Sequence, residues 1–173
     1  VDPHPPRRHK RFDQAVLQAL ETSAGGTPAE ILLQTSLRLG PASRDALLEH
    51  CRLAPTAAEA TLSELLEDGR MLWLSDWLLA APQWSALRRD TITALASYHH
   101  TNPLRRGMPR EELKSRLKIP PRLFAALIEG LSRQSEVAAD ETLLALPGHA
   151  IVFTPAQQAA IAKLMTRFAA APF

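Results

Sequence analysis

The chain has 173 residues, of which 46% are hydrophobic and 22% are charged, and its formal net charge is +2. This composition is typical of a globular protein with room for two compact cores, and no apolar stretch is long enough for a transmembrane helix. Cys51 is the only cysteine, so a disulfide within the chain is excluded and a small buried side chain is expected. Residues 1–11 lack the apolar core of a signal peptide, which predicts a cytoplasmic protein.

Residues 25–81 predict a first small domain, preceded by a linker with a short helix in residues 1–24. Its elements are a helix from Thr27 to Gly40, two helices that begin at Ser43 and Thr56 on either side of Pro55, and two strands at residues 71–74 and 77–80. Thr27 and Ser43 are typical helix caps, and Gly40 is a typical helix stop. Two helices joined by a short turn and followed by a hairpin have the order of a winged helix, in which the hairpin is the wing.

Residues 82–153 predict a second domain with the same order of elements. These are a longer helix from Gln83 to about Thr101, a helix with Leu113 and Leu117, a turn at Pro120 and Pro121, a helix from Phe124 to Leu131, and a hairpin of residues 137–139 and 142–146 with Asp140 and Glu141 at its tip. Residues 151–153 are expected to add one further strand. A final helix in residues 154–173, capped by Thr154, is expected to lead into a following domain.

An internal repeat relates the two domains at an offset of 66 residues. The residues that recur are Arg44, Leu47, Leu53, Pro55, Leu62, Leu65 and Leu78, which correspond to Arg110, Leu113, Ile119, Pro121, Ile128, Leu131 and Leu144. A repeat of this length is a whole small domain and not a solenoid unit. The sequence therefore predicts a mainly α fold with small β wings, made of two tandem winged-helix domains.

A winged helix commonly binds duplex DNA through its third helix and its wing, but the charges here disfavour that function. The carboxylates of the first domain's third helix are Glu59, Glu64, Glu67 and Asp68. The wing tips carry Asp76 in the first domain and Asp140 with Glu141 in the second, without Lys or Arg. Because phosphates repel carboxylates, a DNA-binding transcription regulator is an alternative interpretation that the charges do not favour. A protein-interaction pair, with Trp73 and Trp77 of the first wing at its surface, is another.

Positive charge is concentrated in residues 105–122. The basic residues of this segment are Arg105, Arg106, Arg110, Lys114, Arg116, Lys118 and Arg122. Only Glu111 and Glu112 oppose them, so the segment has a net charge of +5. We interpret these residues either as contacts to RNA phosphates or as a solvated helix face that is partly paired with the two glutamates.

No set of residues in the sequence indicates catalysis. His99 and His100 are adjacent on a helix and point in different directions, which rules out the spacing of joint metal ligands. Glu111 and Glu112 have no partner that indicates general acid–base roles, and no GxxxxGKS/T loop is present. We therefore expect no catalytic, cofactor-binding or metal-binding residue in this chain.

The segment YHHTNPLRRGMPREELKSRL, residues 98–117, resembles the second winged-helix module of the bacterial selenocysteine-specific elongation factors (SelB). The resemblance is carried by an aromatic residue, His, Asn-Pro-Leu, a basic residue, Gly-Met-Pro-Arg-Glu and Leu, in that order. Residues 1–11 resemble the exit from the elongation-factor half of that family. Residues 153–173 resemble the first helix of its third winged helix. The first domain is related to the family by its position and by the repeat.

The resemblance implies a translation factor whose GTPase half, with GTP and magnesium, delivers selenocysteinyl-tRNA to the ribosome. Four tandem winged helices follow in that family, and the last two bind an mRNA hairpin, the SECIS element, beside the UGA codon. This chain is then expected to be the middle segment, modules one and two, which spans from the ribosomal factor site to the mRNA. The resemblance implies a cytoplasmic monomer without a membrane partner, whose own nucleic-acid contact is weak or absent.

Overall fold

The computed structural model describes residues 26–171, and the chain divides into two compact units between Ala86 and Leu87. The elements of the first unit are α1 (Pro28–Leu39), α2 (Arg44–His50), α3 (Pro55–Glu67), β1 (Met71–Leu74) and β2 (Trp77–Ala80). The remaining elements are α4 (Ala81–Thr101), which contains the division, and β3 (Met108–Pro109), α5 (Arg110–Leu117), α6 (Pro121–Arg133), β4 (Ala138–Ala139), β5 (Leu143–Ala145) and α7 (Pro155–Ala170). Mostly helical units with small antiparallel sheets confirm the predicted fold class. The linker and helix predicted in residues 1–24 lie outside the described residues.

Helices α1 and α2 form where the sequence predicts them because their ends are capped. The hydroxyl of Thr27 accepts a hydrogen bond from the N–H of Glu30, and the carboxylate of Glu30 accepts one from the N–H of Thr27. Gly40 ends α1 with φ 81°, a positive angle that glycine adopts without steric cost. The hydroxyl of Ser43 accepts a hydrogen bond from the N–H of Ala46 and caps α2.

Helices α3 and α4 begin one or two residues earlier than the sequence predicts. Helix α3 starts at Pro55 and not at Thr56. Helix α4 starts at Ala81 and not at Gln83, with Pro82 in its first turn. A proline is tolerated in the first turn because the N–H that it lacks has no intrahelical partner there. Pro55 and Pro82 are therefore residues of α3 and α4, whereas the sequence predicts that each helix begins after its proline.

The core of the first unit joins its three helices to its wing. The central buried side chains are Leu32, Leu47, Leu62, Leu65, Met71 and Leu78. Full burial of a leucine contributes about 1.5–3 kcal/mol, so this cluster is the main source of stability in the unit. The predicted hairpin is confirmed, with Leu74 opposite Trp77 across its turn.

One polar side chain connects α1 with the start of α4 inside the first unit. The amide nitrogen of Gln83 donates to the carbonyl oxygen of Ser36 at 2.8 Å. Its oxygen accepts from the N–H of Ala80 at 2.8 Å and from the hydroxyl of Ser36 at 3.2 Å. Because Ser36 is buried, these bonds satisfy groups that water cannot reach. No local sequence signal marks Gln83, since Ser36 lies 47 residues before it.

A third strand, β3, completes the sheet of the second unit. Met108 pairs antiparallel with Leu144 of β5, which also pairs with β4. The first unit has the corresponding contact as a single antiparallel bridge between Ala42 and Leu78. The two pairs are related by the same offset of 66 residues that relates the sequence repeats. The repeat therefore includes this pairing as well as the helices and wings.

The prediction of a further strand at residues 151–153 is wrong. These residues have no regular secondary structure, and the side chain of Val152 is 75% exposed. The strand that joins the wing is Met108–Pro109, between α4 and α5, where no strand is predicted. An apolar run forms a strand only when another strand lies beside it, and residues 151–153 pair with no strand of the described chain.

Substitution of Gly107 by alanine is expected to destabilise the second unit by about 1–3 kcal/mol, the usual cost of overpacking. An added Cβ would lie 2.7 Å from the carbonyl oxygen of Leu144 and 3.3 Å from the Cβ of Leu143, so β3 would have to move away from β5. Urea unfolding followed by circular dichroism measures the change, with Ser115→Ala on the exposed side of α5 as the control. An unchanged midpoint for Gly107→Ala would contradict the close approach of the two strands.

Candidate nucleic-acid interface

The predicted basic residues lie on neighbouring elements of the second unit. Arg105 and Arg106 are in the loop between α4 and β3, Arg110, Lys114 and Arg116 are on α5, Lys118 ends α5, and Arg122 is the second residue of α6. Although the segment is continuous in sequence, the structure gives these cations three different kinds of surroundings.

The backbone of the loop between α4 and β3 is held at several points. The N–H and the side-chain amide of Asn102 both donate to the carbonyl oxygen of Tyr98, at 2.8 and 3.2 Å, and end α4. The N–H of Arg105 donates to the carbonyl oxygen of Asn102 at 3.0 Å. Gly107 then lies directly against Leu144 of β5. The loop therefore leaves the helix in a tight turn and reaches the sheet within a few residues.

His99 connects α4 with the end of the wing. Its side chain is buried, and its Nε2 accepts a hydrogen bond from the N–H of Leu146 at 3.1 Å. Because Nε2 accepts, the neutral ring carries its proton on Nδ1, which has no hydrogen-bond partner within residues 26–171. Burial lowers the pKa of His99, and the neighbouring His149 lowers this pKa further. The fold thus favours the neutral ring that the contact with Leu146 requires.

His149 stacks on His99 and is hydrogen-bonded to the backbone of the loop between α4 and β3. The two ring centroids are 3.6 Å apart and the ring planes differ by 19°. Nε2 of His149 lies 2.8 Å from the carbonyl oxygen of Arg105, and since a carbonyl only accepts, the ring nitrogen donates. The sequence offers no local signal for this pair, because the hydrogen-bond donor to His99 lies 47 residues further along the chain.

Two of the basic residues are paired with the two glutamates of α5. Lys114 forms an ion pair with Glu111, and Nη2 of Arg116 lies 2.7 Å from Oε1 of Glu112. The spacings of three and four residues place each pair on one side of the helix. Their charges are largely compensated locally, which fits the interpretation of a solvated, paired helix face for these two residues.

Arg110 ties the first turn of α5 to the wing and to α6. Its N–H donates to the carbonyl oxygen of Thr142 at 3.0 Å, and its Nη1 donates to that of Asp140 at 3.2 Å. Its guanidinium carbon also lies 6.0 Å from the centre of the Phe124 ring, which is within the range of a cation–π contact. This half-buried side chain therefore has a structural role.

The wing tip of the second unit keeps a negative charge. The carboxylate of Asp140 accepts hydrogen bonds from the N–H groups of Thr142 at 2.8 Å and Leu143 at 3.2 Å. These bonds lower the pKa of Asp140, and the positive charge of Arg106 adds a smaller lowering. The carboxylate is used to build the turn, and Glu141 beside it is exposed.

Besides Arg110, whose partners are backbone carbonyls, four of the seven cations form no ion pair with any carboxylate of residues 26–171. They are Arg105, Arg106, Lys118 and Arg122, and all four side chains are exposed. Lys118 has the left-handed backbone conformation, φ 53°, that ends α5. Arg122 lies in the first turn of α6, where the helix dipole does not favour a positive charge. Only Arg105 and Arg106 are adjacent to each other in sequence.

The third helix of the first unit, α3, presents an acidic surface. Glu59, Glu64 and Glu67 are all exposed on it. Glu59 is paired with Arg44 of α2, with 2.7 Å between Oε1 and Nη2, and the other two carboxylates have no ion pair among the described residues. The acidic outer face expected from the sequence is confirmed.

The described part of the chain shows neither a metal site nor a membrane-spanning helix. Within residues 26–171, no cluster of His, Cys, Asp and Glu side chains could hold a metal ion. The helices of the same residues are all too short or too polar to cross a bilayer.

Acidification is expected to destabilise the second unit through His99. Because folding lowers the pKa of His99, the unfolded chain binds the proton more readily. Stability is therefore full above the unfolded pKa of about 6.5 and falls as the pH drops from there towards the folded pKa. His99→Gln keeps an acceptor for Leu146 but does not titrate, so urea unfolding at a series of pH values should show a smaller loss in acid than the native chain.

His100→Gln is the matched control, because His100 is the exposed neighbour on the same helix. It should retain the pH dependence of the native chain. Identical pH profiles for His99→Gln and the native chain would contradict the assigned role of His99.

The second unit is similar to a winged helix of known type. Residues 92–146 match the family model described as the winged helix of elongation factor SelB, the second such domain of that protein. The solved structure of the mRNA-binding domain of elongation factor SelB from E. coli, in complex with SECIS RNA, is similar to the chain with a TM-score of 0.51 and 12% sequence identity; the match covers 70% of this chain and 98% of that chain. No curated protein matches the chain. The family match confirms the resemblance for the second unit, and the structural match confirms the winged-helix fold.

Proposed function

We propose that the chain is the middle segment of a selenocysteine-specific translation elongation factor. It would link a GTPase half, which delivers selenocysteinyl-tRNA, to the winged helices that bind the SECIS hairpin when selenocysteine is incorporated at UGA. The observation that carries the proposal is the match of residues 92–146 to the winged helix of elongation factor SelB. The two complete modules would be residues 25–81 and 82–153.

The residues that carry the resemblance build this winged helix and its loop. His99 accepts a hydrogen bond from Leu146, Asn102 ends α4, and Gly107 lies where any larger side chain would collide with Leu144. The contact of His99 needs a side-chain acceptor, the side-chain amide of Asn102 adds a second donor to Tyr98, and the close approach at Gly107 leaves no room for a Cβ. The motif therefore supports an architecture that the second unit shares with the winged helix of elongation factor SelB.

A linking role fits surfaces that are poorly suited to reading nucleic acid. The outer face of α3 carries Glu64 and Glu67 without compensating cations, and on α6 Glu129 is paired with Arg133. Phosphates would be repelled by these carboxylates and by the acidic tip of the second wing. We propose that both units act chiefly as a folded spacer.

Helix α7 supports the presence of a further winged helix after residue 171. Thr154 and Gln157 close a capping box of the same kind as the one that begins α1. Its large apolar side chains are exposed, and they are Ile161, Leu164, Met165 and Phe168. In the first unit, α1 instead buries Leu32 against the rest of its own winged helix. We propose that residues 154–173 form the first helix of a third module and that residues 1–24 lead in from a preceding domain.

The remaining functions would belong to other parts of the same protein. The GTP, magnesium and tRNA sites would lie in the preceding half, and the partners would be the ribosome and the mRNA hairpin in the cytoplasm. This chain would contribute no catalytic residue.

A chimeric elongation factor tests the linking role. In it, this chain replaces the first two winged helices of an established selenocysteine-specific factor, and a matched control carries a glycine and serine linker in place of residues 26–153. We expect the chimera to support UGA read-through of a SECIS reporter in cell-free translation. The flexible control should be lower by about tenfold or more, because a random chain dilutes the effective concentration of the tRNA-carrying half at the ribosome.

GTP hydrolysis and hairpin binding of each protein are measured separately, so that both flanking halves are known to be active. Equal read-through with the flexible control would contradict a folded spacer. Background read-through by the chimera, with both halves active, would contradict the proposed function itself.

A further inference from the structure

We propose that Arg105 and Arg106 form a contact site for the phosphate backbone of RNA, and that the stacked pair of His99 and His149 holds this site in position. The inference rests on the proposed function, which makes RNA the polyanion that the second unit meets. It assigns the RNA contact to two of the seven cations and to a loop instead of to the recognition helix.

The two arginines are available for a ligand, whereas their neighbours on α5 are not. Arg105 and Arg106 are exposed and form no ion pair within the described residues, while Lys114 and Arg116 are each paired with a glutamate. A cation that is already paired has a carboxylate beside it, and this negative charge repels a phosphate, so the net contribution of the pair to phosphate binding is small. Arginine without a partner can donate two parallel hydrogen bonds to a phosphate.

The loop that carries the arginines is organised before any ligand arrives. The carbonyl oxygen of Arg105 accepts from His149, its N–H donates to Asn102, and Gly107 lies against β5. His149 is in turn stacked on the buried His99. Holding a loop in its binding conformation lowers the entropy that binding must overcome.

The surroundings of the loop favour contact with a backbone over the reading of duplex DNA. Sequence reading in the major groove needs hydrogen-bonding side chains along the exposed face of the recognition helix. The exposed face of α6 offers Arg122, then Ala125, and then Glu129, which is paired with Arg133. The wing tip next to Arg106 carries Asp140, which would face one strand of a docked duplex. A single RNA backbone that crosses the loop can avoid both of these features.

Fluorescence anisotropy of the 173-residue chain with a labelled RNA hairpin of about 20 nucleotides tests the site, over a series of salt concentrations. We expect binding that strengthens as salt falls. In the double variant Arg105→Gln/Arg106→Gln, the slope of log K against log salt should fall by about two, one for each phosphate contact, and affinity at low salt should fall by about tenfold or more.

Lys114→Gln/Arg116→Gln is the matched control, because it removes the same charge from the paired cations of the same unit. It should change the salt slope little. Equal losses in the two double variants would overturn the assignment, since the effect would then be one of net charge. Absence of RNA binding by the folded native chain, or tighter binding to a DNA duplex of the same length, would also overturn it. Circular dichroism confirms that each variant is folded.

His149 is a positioning residue in this proposal, and two substitutions separate positioning from charge. His149→Phe keeps an aromatic ring against His99 but cannot donate to the carbonyl of Arg105, so RNA affinity should fall about two- to tenfold at an unchanged salt slope. His149→Gln keeps a donor and should retain most of the affinity. Unchanged binding by His149→Phe would overturn the positioning role.

The outcome is separable from that of the proposed function. RNA anisotropy needs neither ribosome nor tRNA, and read-through by the chimera does not measure this contact directly. Read-through without RNA binding by the fragment would overturn this inference alone. RNA binding at Arg105 and Arg106 by a chain that fails in the chimera would uphold the contact and overturn the proposed function.

Discussion

Each winged helix depends on one antiparallel backbone contact of its own. This contact joins a residue shortly before the second helix to the last strand of the wing. In the first unit Ala42 and Leu78 exchange two backbone hydrogen bonds, of 3.2 and 2.7 Å, and in the second unit Met108 pairs with Leu144. All four side chains are buried. Because the contact connects the helix-turn-helix to the hairpin, it makes one core from two local motifs. The chain between the first helix and this contact has to fit the geometry that the contact imposes.

In the second unit that geometry determines what the basic residues can do. The loop with Arg105 and Arg106 is short, lies against β5 at Gly107 and is held by a stacked pair of histidines. The first turn of α5 directs Arg110 towards the wing, where it donates to a backbone carbonyl. Further along α5 the cations meet the glutamates of their own helix. The basic segment of residues 105–122 therefore contains three kinds of cation in the fold. One contacts the backbone of the wing, two are paired with glutamates, and four are exposed without an ion pair in the described chain.

The two units share a fold but not a surface. The central apolar positions of the repeat, such as Leu47 and Leu113, are buried in both units, whereas the outer faces of their third helices differ in charge. Fold and function are separable in this way because the core requires only size and hydrophobicity, while the surface is free to change. The same fold can therefore carry an acidic outer face in one unit and a mixed one in the other.

The sequence by itself determined the elements whose signals are local. The caps at Thr27, Ser43 and Thr154 act within three residues of each helix start, and the apolar runs of the wings flank their own turns, so these elements lie close to where they are predicted. Tertiary structure decided whatever depends on distant partners. The two residues of β3 form a strand only because Leu144 lies beside them, and residues 151–153 meet no strand within the described chain. Tertiary structure also decided which cations form ion pairs. Pairing depends on where side chains meet in space and not on the net charge of a segment.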